Sequence, residues 1–420
     1  MRTKLARDAR VICTDWLREM NLARLVDAQL VAAQVVDADV DLVAVGKASR
    51  EMMAAASESL GSGVLRRLTI CDAASAALGD LGDDVVVGEH PVPGEGSLAA
   101  GRALAAFLDE GSRASATIFL LSGGASSLCV MPVPPVDLDD LGAVFDAALA
   151  SGADITTLNK VRAAVSMLGG GAVLRLVRTD RSLGLIMVDN VVSGAEWVAS
   201  GLTYNFEPSV EELTSLLGQI GIGDGPLRDR LLEASARRAS SLSVLKAKPH
   251  DNAVVAEPSM VHELAIAEAQ RRGYRVLDMG SHVHGDVEDV VGTWMDVIKD
   301  EVAAGDLIAL VGVGEVTVRV RGGGQGGRCQ EFAWRMAGAL ADLERDSAFV
   351  ARASDGRDYI NGVAGAWVDK ATVERARAFG IDWGEVAAAN DSYPALAALH
   401  QVIEGRHTGW NLCDVYVATL

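Results

Sequence analysis

The 420-residue chain predicts an α/β protein of two domains, the first built on a three-layer, mostly parallel sheet and the second on a mixed sheet. Three observations predict it. The length exceeds what one ordinary core holds. Apolar strand-like runs alternate with helical runs from residue 40 onward, as parallel strands buried on both faces do. Glycine is abundant at 44 residues, and many glycines lie beside the apolar runs, where turns approach ligands closely.

The elements follow in order. Ile12, Trp16, Leu17 and Met20 recur at helical spacing, so the chain opens with a helix. Residues 40–45 form a strand followed by Gly46-Lys47-Ala48-Ser49 and an alanine-rich helix. Residues 117–121 form a second strand, followed by Ser122-Gly123-Gly124-Ala125-Ser126-Ser127, and residues 183–188 a third that ends at Asp189. This strand–loop–helix grammar is Rossmann-like. From 208 to 245 the pattern turns helical and polar, and Lys246-Ala247-Lys248-Pro249 reads as a boundary, giving domains at 1–245 and 246–420. The second series starts at Ala253-Val254-Val255. It continues with a strand at 307–313, then an alternating run at 316–320 in which Thr317 and Arg319 mark an exposed face. A glycine loop from 321 to 328 leads into a helix at about 330–340, and 415–420 is a final strand. No repeat of 20 to 50 residues interrupts the series.

Composition narrows the function. A formal net charge of −19 argues against a nucleic-acid or anionic-membrane partner, since both need a basic face. Cys13, Cys71, Cys129, Cys329 and Cys413 are scattered and form no CxxC pair, which disfavours a disulfide framework and a zinc ribbon. The charged N-terminus reads as an amphipathic helix rather than a signal peptide, and no charge-free apolar run of 18 residues occurs. The expectation is a cytoplasmic enzyme with a small-molecule substrate, and a homodimer is a common default.

In open parallel sheets ligands bind outside the carboxyl ends of the strands. The strand ends here carry Gly46-Lys47, Ser122-Gly123-Gly124, Asp189, the 322–327 glycine loop with Arg328, and Ser354-Asp355-Gly356. Cations can stabilise charge on a transferring phosphoryl group, glycine loops offer backbone N–H groups to anions, and carboxylates can hold Mg²⁺. Each alone is weak: a Gly-Lys after a strand is more often a surface turn, and neither loop fits GxxxxGK[ST]. Together at strand ends they are harder to explain as turns. His282-Val283-His284-Gly285-Asp286 has metal-ligand residue types, but alternating histidines are more often solvated. His90 sits in a proline-constrained turn and is either functional or a turn cap.

These motifs resemble the class II glycerate 2-kinases, formerly called hydroxypyruvate reductases, whose C-terminal region is named MOFRL. The resemblance spans nearly the whole chain in order: VGKAS (45–49), HPVPGEGSLAAG (90–101), LLSGGASSL (120–128), LNKVRAAVS (158–166), VASGLT (198–203), GEVTVRVRGGGQGGRCQEFA (314–333), ASDGRD (353–358), NDSY (390–393) and TGWNLCD (408–414). It implies transfer of the ATP γ-phosphate to the 2-hydroxyl of D-glycerate, with Mg²⁺. It implies catalytic roles for Lys47 and Arg328, in a cleft between the domains. Substrate or nucleotide contacts fall on His90, Ser122, Gly123, Gly124, Ser126, Asn159, Arg162, Glu315 and Asn411, and metal contacts on Asp189 and Asp355. Asp358 also matches a family acid.

The chain departs from the family pattern at several charges. SDVxGD reads Val188-Asp189-Asn190-Val191-Val192-Ser193, VRKHLS reads Val161-Arg162-Ala163-Ala164-Val165-Ser166, and IKGG reads Leu168-Gly169-Gly170-Gly171. DGxDGPTDAAG loses an acid, and TGTN reads Thr408-Gly409-Trp410-Asn411. A lost charge-assisted contact is worth about 1.5–3 kcal/mol, so an altered acceptor is expected. Trp410 and Tyr359 would either pack or stack on a larger ligand. The alternatives are a lyase, hydrolase or isomerase on a phosphorylated or carboxylated compound, with Lys47 as base or clamp, and a non-catalytic binding protein. A reductase lacks its GxGxxG after a strand.

Overall fold

The structure, a computed structural model, describes residues 2–79, 84–189, 194–244, 246–301 and 306–420. They form two compact units, one of Asn21–Ala256 and one of Met1–Met20 with Glu257–Leu420.

The unit of residues 21–256 is organised by a six-stranded sheet: β1 (Val40–Val45), β2 (Val64–Cys71), β3 (Val85–Val87), β4 (Ala116–Leu121), β5 (Arg181–Met187) and β6 (His250–Ala256). Their order is β3-β2-β1-β4-β5-β6, and every pair is parallel. β1 and β4 are buried at every residue, which is why their sequences are continuous apolar runs rather than alternating ones. The helix Glu95–Asp109 sends Leu104 and Leu108 against Val43, Val45, Phe119 and Leu121. The helix Ser49–Leu60 packs on β1, β2 and β4, with Leu22–Ala32 beside it. A separate apolar cluster joins the helices Leu138–Ser151, Ile155–Ala164, Val210–Gln219 and Pro226–Ser243 around Val144, Val161, Leu217 and Leu231. The strand order reverses between β1 and β4, so a crevice opens at their carboxyl ends.

The second unit holds a mixed sheet of β7 (Arg275–Asp278), β8 (Val283–Asp286), β9 (Ile308–Thr317), β10 (Ala348–Ala353), β11 (Val363–Asp369), β12 (Val402–Glu404) and β13 (Asp414–Thr419). The order is β12-β11-β10-β13-β9-β7, with β8 also on β9; β7 and β8 run parallel to β9, and the remaining pairs are antiparallel. One face carries an aromatic core in which Trp294 meets Phe332, Phe349 and Tyr416 edge-on. The other face is covered by the helix Arg2–Ile12, whose Leu5, Ala9 and Ile12 are no more than 1% exposed. Cys13 Sγ donates to the Val415 carbonyl (3.4 Å) and Thr419 Oγ1 to that of Leu5 (3.1 Å). Buried Asp8 accepts from Arg272 Nη1 (2.9 Å) and the Tyr274 hydroxyl (3.0 Å).

The α/β class, the parallel first sheet and the mixed second sheet are as the sequence predicts. The boundary is not. It falls after Ala256 rather than at 245, because Ala253-Val254-Val255 belongs to β6 and closes the first sheet instead of opening the second. The N-terminal helix joins the C-terminal strands, a long-range pairing that local pattern does not encode. The runs 307–313 and 316–320 are not two strands: β9 continues through Gly314 and Glu315 to Thr317 and ends there.

Candidate active site

Lys47 leaves the carboxyl end of β1 and Ser122 that of β4, the two strands flanking the order reversal. The Lys47 N–H donates to the Gly123 carbonyl (2.9 Å), and the Ala48 N–H to Ser122 Oγ (3.0 Å). The loops lie so close that a Cβ on Gly46, at φ +128°, would stand 2.3 Å from Ser122 Oγ. Gly124, at φ +83°, is crowded on its other side: a Cβ there would meet His90 Cδ2 at 3.2 Å and Lys47 Cγ at 3.3 Å. Lys47, His90 and the Ser122–Gly124 loop therefore form one cluster at the switch point.

The His90 turn is held from two directions. Glu89 accepts from the N–H groups of Gly96 (3.1 Å) and Ser97 (2.8 Å) at the start of the helix Glu95–Asp109. Ser127 Oγ donates to the Pro91 carbonyl (2.6 Å), tying the turn to the serine-glycine loop. His90 as a residue is solvent-exposed, yet partial burial of its ring and then the Lys47 charge push its pKa down to about 4, so the imidazole is neutral at pH 7. A neutral imidazole beside an ammonium can accept a proton while the ammonium neutralises developing negative charge.

The other candidates of this unit divide. Asp189 follows β5 on the same sheet edge, whereas Asn190, Val191, Val192 and Ser193 lie outside the described residues. Asn159 is committed to structure: its Nδ2 donates to the Trp197 carbonyl (3.4 Å) and its Oδ1 accepts from Ser200 (3.1 Å). Arg162, on the helix Ile155–Ala164, and Ser126 both line a small cavity.

In the second unit Arg328 opens the helix Arg328–Ala341. Asp414, fully buried at the start of β13, takes Arg328 Nε (2.5 Å) and Nη2 (2.9 Å) on its two oxygens, and Glu315 takes Nη1 (2.8 Å). Burial opposes the charge, but Asp414 and Glu315 outweigh it and hold the Arg328 pKa well above its usual value. Asp358 accepts from the N–H groups of Cys329 (3.1 Å) and Gln330 (2.9 Å), acting as a remote cap on that helix. Burial, then the Asp414 charge, pushes Asp358 up to about 6. Asp355 sits in the turn after β10, accepting the Arg357 N–H (2.8 Å). Asn411 lies on the 408–413 loop, which Ser354 pins through Thr408 (2.6 Å) and Leu412 (2.7 Å).

Sequence reasoning missed Asp414 as the carboxylate that orients Arg328; its one signal was an acid opening an apolar strand. It also missed Arg238, whose buried guanidinium bridges the carbonyls of Ser166 (2.8 Å), Phe206 (3.3 Å), Gly169 (2.8 Å) and Gly170 (3.0 Å). Trp410 is packing rather than a free stacking surface: it is 6% exposed and edge-on to Trp16 at 6.4 Å. Tyr359 is 84% exposed at φ +61°. The His282–Asp286 run gathers no metal cage, since Asp286 pairs with Arg319 (3.0 Å); among the described residues no three His, Cys, Asp or Glu do so.

Residues 8–231 match a family model described as a domain of unknown function, DUF4147, and residues 308–414 match the MOFRL family. The chain is 28% identical to a D-glycerate 2-kinase of Thermotoga maritima, covering 90% of each chain. It is 30% identical to a glycerate 2-kinase of Pyrococcus horikoshii over 80% of this chain and 77% of the relative. A crystal structure of a Thermotoga maritima glycerate kinase superposes with a TM-score of 0.84 at 25% identity, covering both chains completely.

Proposed function

Because the chain belongs to the class II glycerate 2-kinase family, we propose that it transfers the γ-phosphate of ATP to a hydroxyl of D-glycerate or a related small hydroxy acid. The observation that carries this reading is the cluster of Lys47, His90 and the Ser122–Gly124 loop at the β1/β4 switch point. Phosphoryl transfer needs positioning and charge stabilisation more than covalent chemistry. Lys47 is the group that neutralises charge on the transferring phosphoryl. Neutral His90 accepts the proton of the attacking hydroxyl. The loop N–H groups hold the oxygens that Lys47 does not reach.

In the other unit Arg328, whose guanidinium Asp414 and Glu315 hold, is the residue to which we assign a catalytic role. Mg²⁺ needs only one or two carboxylates when phosphates fill its remaining positions. Asp189, at the end of β5, is the acid of the first unit assigned to it, and the ion supplies further charge neutralisation on the phosphates when bound.

The test is ADP release with D-glycerate and a panel of short hydroxy acids, with product position fixed by phosphorus NMR. Turnover that needs both MgATP and a hydroxy acid is the expected result. Absence of transfer to every acceptor in the panel would overturn the reading.

A further inference from the structure

In the second unit the glycine loop 321–327, which leads into Arg328, lies directly against Asn390-Asp391-Ser392-Tyr393. A Cβ on Gly322 would stand 2.4 Å from the Ala389 carbonyl oxygen, and one on Gly326 would stand 2.2 Å from Ser392 Oγ. These glycines serve the close approach of two backbones. Four of the loop N–H groups, which an anion would need, are spent inside the protein. Asn390 Oδ1 accepts from Arg321 (2.7 Å) and Gly322 (3.3 Å), the Ala389 carbonyl from Gly324 (3.0 Å), and Asp391 Oδ1 from Gln325 (2.8 Å). The Tyr393 N–H donates back to the Gln325 carbonyl (2.8 Å).

Asn390 joins this loop to the helix that Arg328 opens. It is buried, and at φ +54° it ends the helix Trp383–Ala389 in the left-handed conformation that asparagine tolerates. Its Nδ2 donates to Glu331 Oε2 (3.0 Å) in the first turn of the helix Arg328–Ala341, and Arg335 pairs with the same oxygen. That helix also grips Trp383–Ala389. Trp334 Nε1 donates to the Trp383 carbonyl (3.2 Å) and Trp383 Nε1 to that of Trp334 (2.8 Å), while Gly338 makes room for the Trp383 ring. The circuit is closed: it runs from the Arg328 helix through the short helix to Asn390, then along the loop and back to Arg328. Mutually supporting buried hydrogen bonds leave such a loop few other conformations, so the residue that follows it keeps one direction.

We propose that Asn390 is a positioning residue, whose side chain locks the glycine loop so that the Arg328 guanidinium keeps a single orientation. The loop is a brace and not a phosphate cradle, and Asn390 acts only through Arg328. The effect on turnover rests on the catalytic role assigned to Arg328, but the lock itself does not.

Hydrogen exchange of the full chain read by mass spectrometry, together with steady-state kinetics, tests it. Asn390→Gly keeps the left-handed turn and removes the three side-chain bonds. It should fold, exchange faster across 321–327, and lose at least about tenfold in kcat, with KM for the hydroxy acid changed by less than about twofold. Asn390→Asp sets a carboxylate against Glu331 and should do the same. Adding Glu331→Gln puts the donor on the opposite side of that bond and should return loop exchange and kcat toward the wild type. Should Asn390→Gly not fold, Asp391→Ala, which removes the acceptor of the Gln325 N–H, should show the same loop-confined change. Unchanged exchange in a folded Asn390→Gly, an effect on KM in place of kcat, or no rescue by the paired substitution would overturn the proposal. Faster loop exchange with kcat untouched in both Asn390→Gly and Arg328→Met would instead overturn only the role given to Arg328.

Discussion

Lys47 is held by backbone bonds on both sides, so removing its charge leaves its loop intact. Lys47→Met should therefore fold as the wild type and lose about 10²–10³-fold in kcat, read in the ADP-release assay. His90 gives a pH signature. Its folded pKa of about 4 lies below the ordinary value near 6.5, so the unfolded chain binds the proton more tightly. Its contribution to stability is present above about pH 6.5 and is lost as pH falls toward 4. Asp358 has the opposite sign: raised to about 6, it contributes below about pH 4 and that contribution is lost as pH rises through 6. Histidine Cε1–H NMR titration checks the first. His90 should titrate well below 6.5 in the wild type and higher in Lys47→Met; an unshifted resonance would refute the coupling. Asp414→Asn should leave Arg328 without its bidentate partner and lower kcat more than it raises KM for the hydroxy acid. Lys47, Ser122 and Gly124 were legible because small residues and a cation directly after an apolar run have few other uses. Asp414 was not, because nothing local tells a pairing carboxylate from a strand-opening one.

At the scale of elements, β1, β4 and β9 were legible because strands buried on both faces must be continuously apolar. β6 was assigned to the wrong sheet because a strand's composition reports its burial and not its neighbour. The same blindness hid the docking of the helix Arg2–Ile12. The sequence announced an amphipathic helix at the N-terminus, but not which face its buried Leu5, Ala9 and Ile12 cover. That docking is fixed by polar groups as well. Asp8→Ala would leave Arg272 Nη1 and the Tyr274 hydroxyl without their acceptor, at a cost of about 2–3 kcal/mol. Differential scanning calorimetry should show the transition of the second unit lowered while that of residues 21–256 stays in place.

At the scale of the molecule, the two units predict which fragments stand alone. Residues 21–256 carry all six strands of the first sheet and should express as a folded piece with one cooperative transition. Residues 1–245 lack β6 and carry a helix parted from its sheet, and should aggregate; size-exclusion chromatography and circular dichroism distinguish the two. The division of the second unit across the chain also sets a timetable. The ribosome makes the helix Arg2–Ile12 early, while β10 and β13, against which that helix packs, emerge more than 330 residues afterwards. In between, residues 21–256 can complete their own sheet while the helix waits with Leu5, Ala9 and Ile12 bare. Because β13 inserts between β9 and β10, those two strands have no shared edge until it arrives. Translation speed through the last third of the message thus governs how long an apolar helix stays open to chaperones, and slow codons there should raise aggregation without altering a single residue.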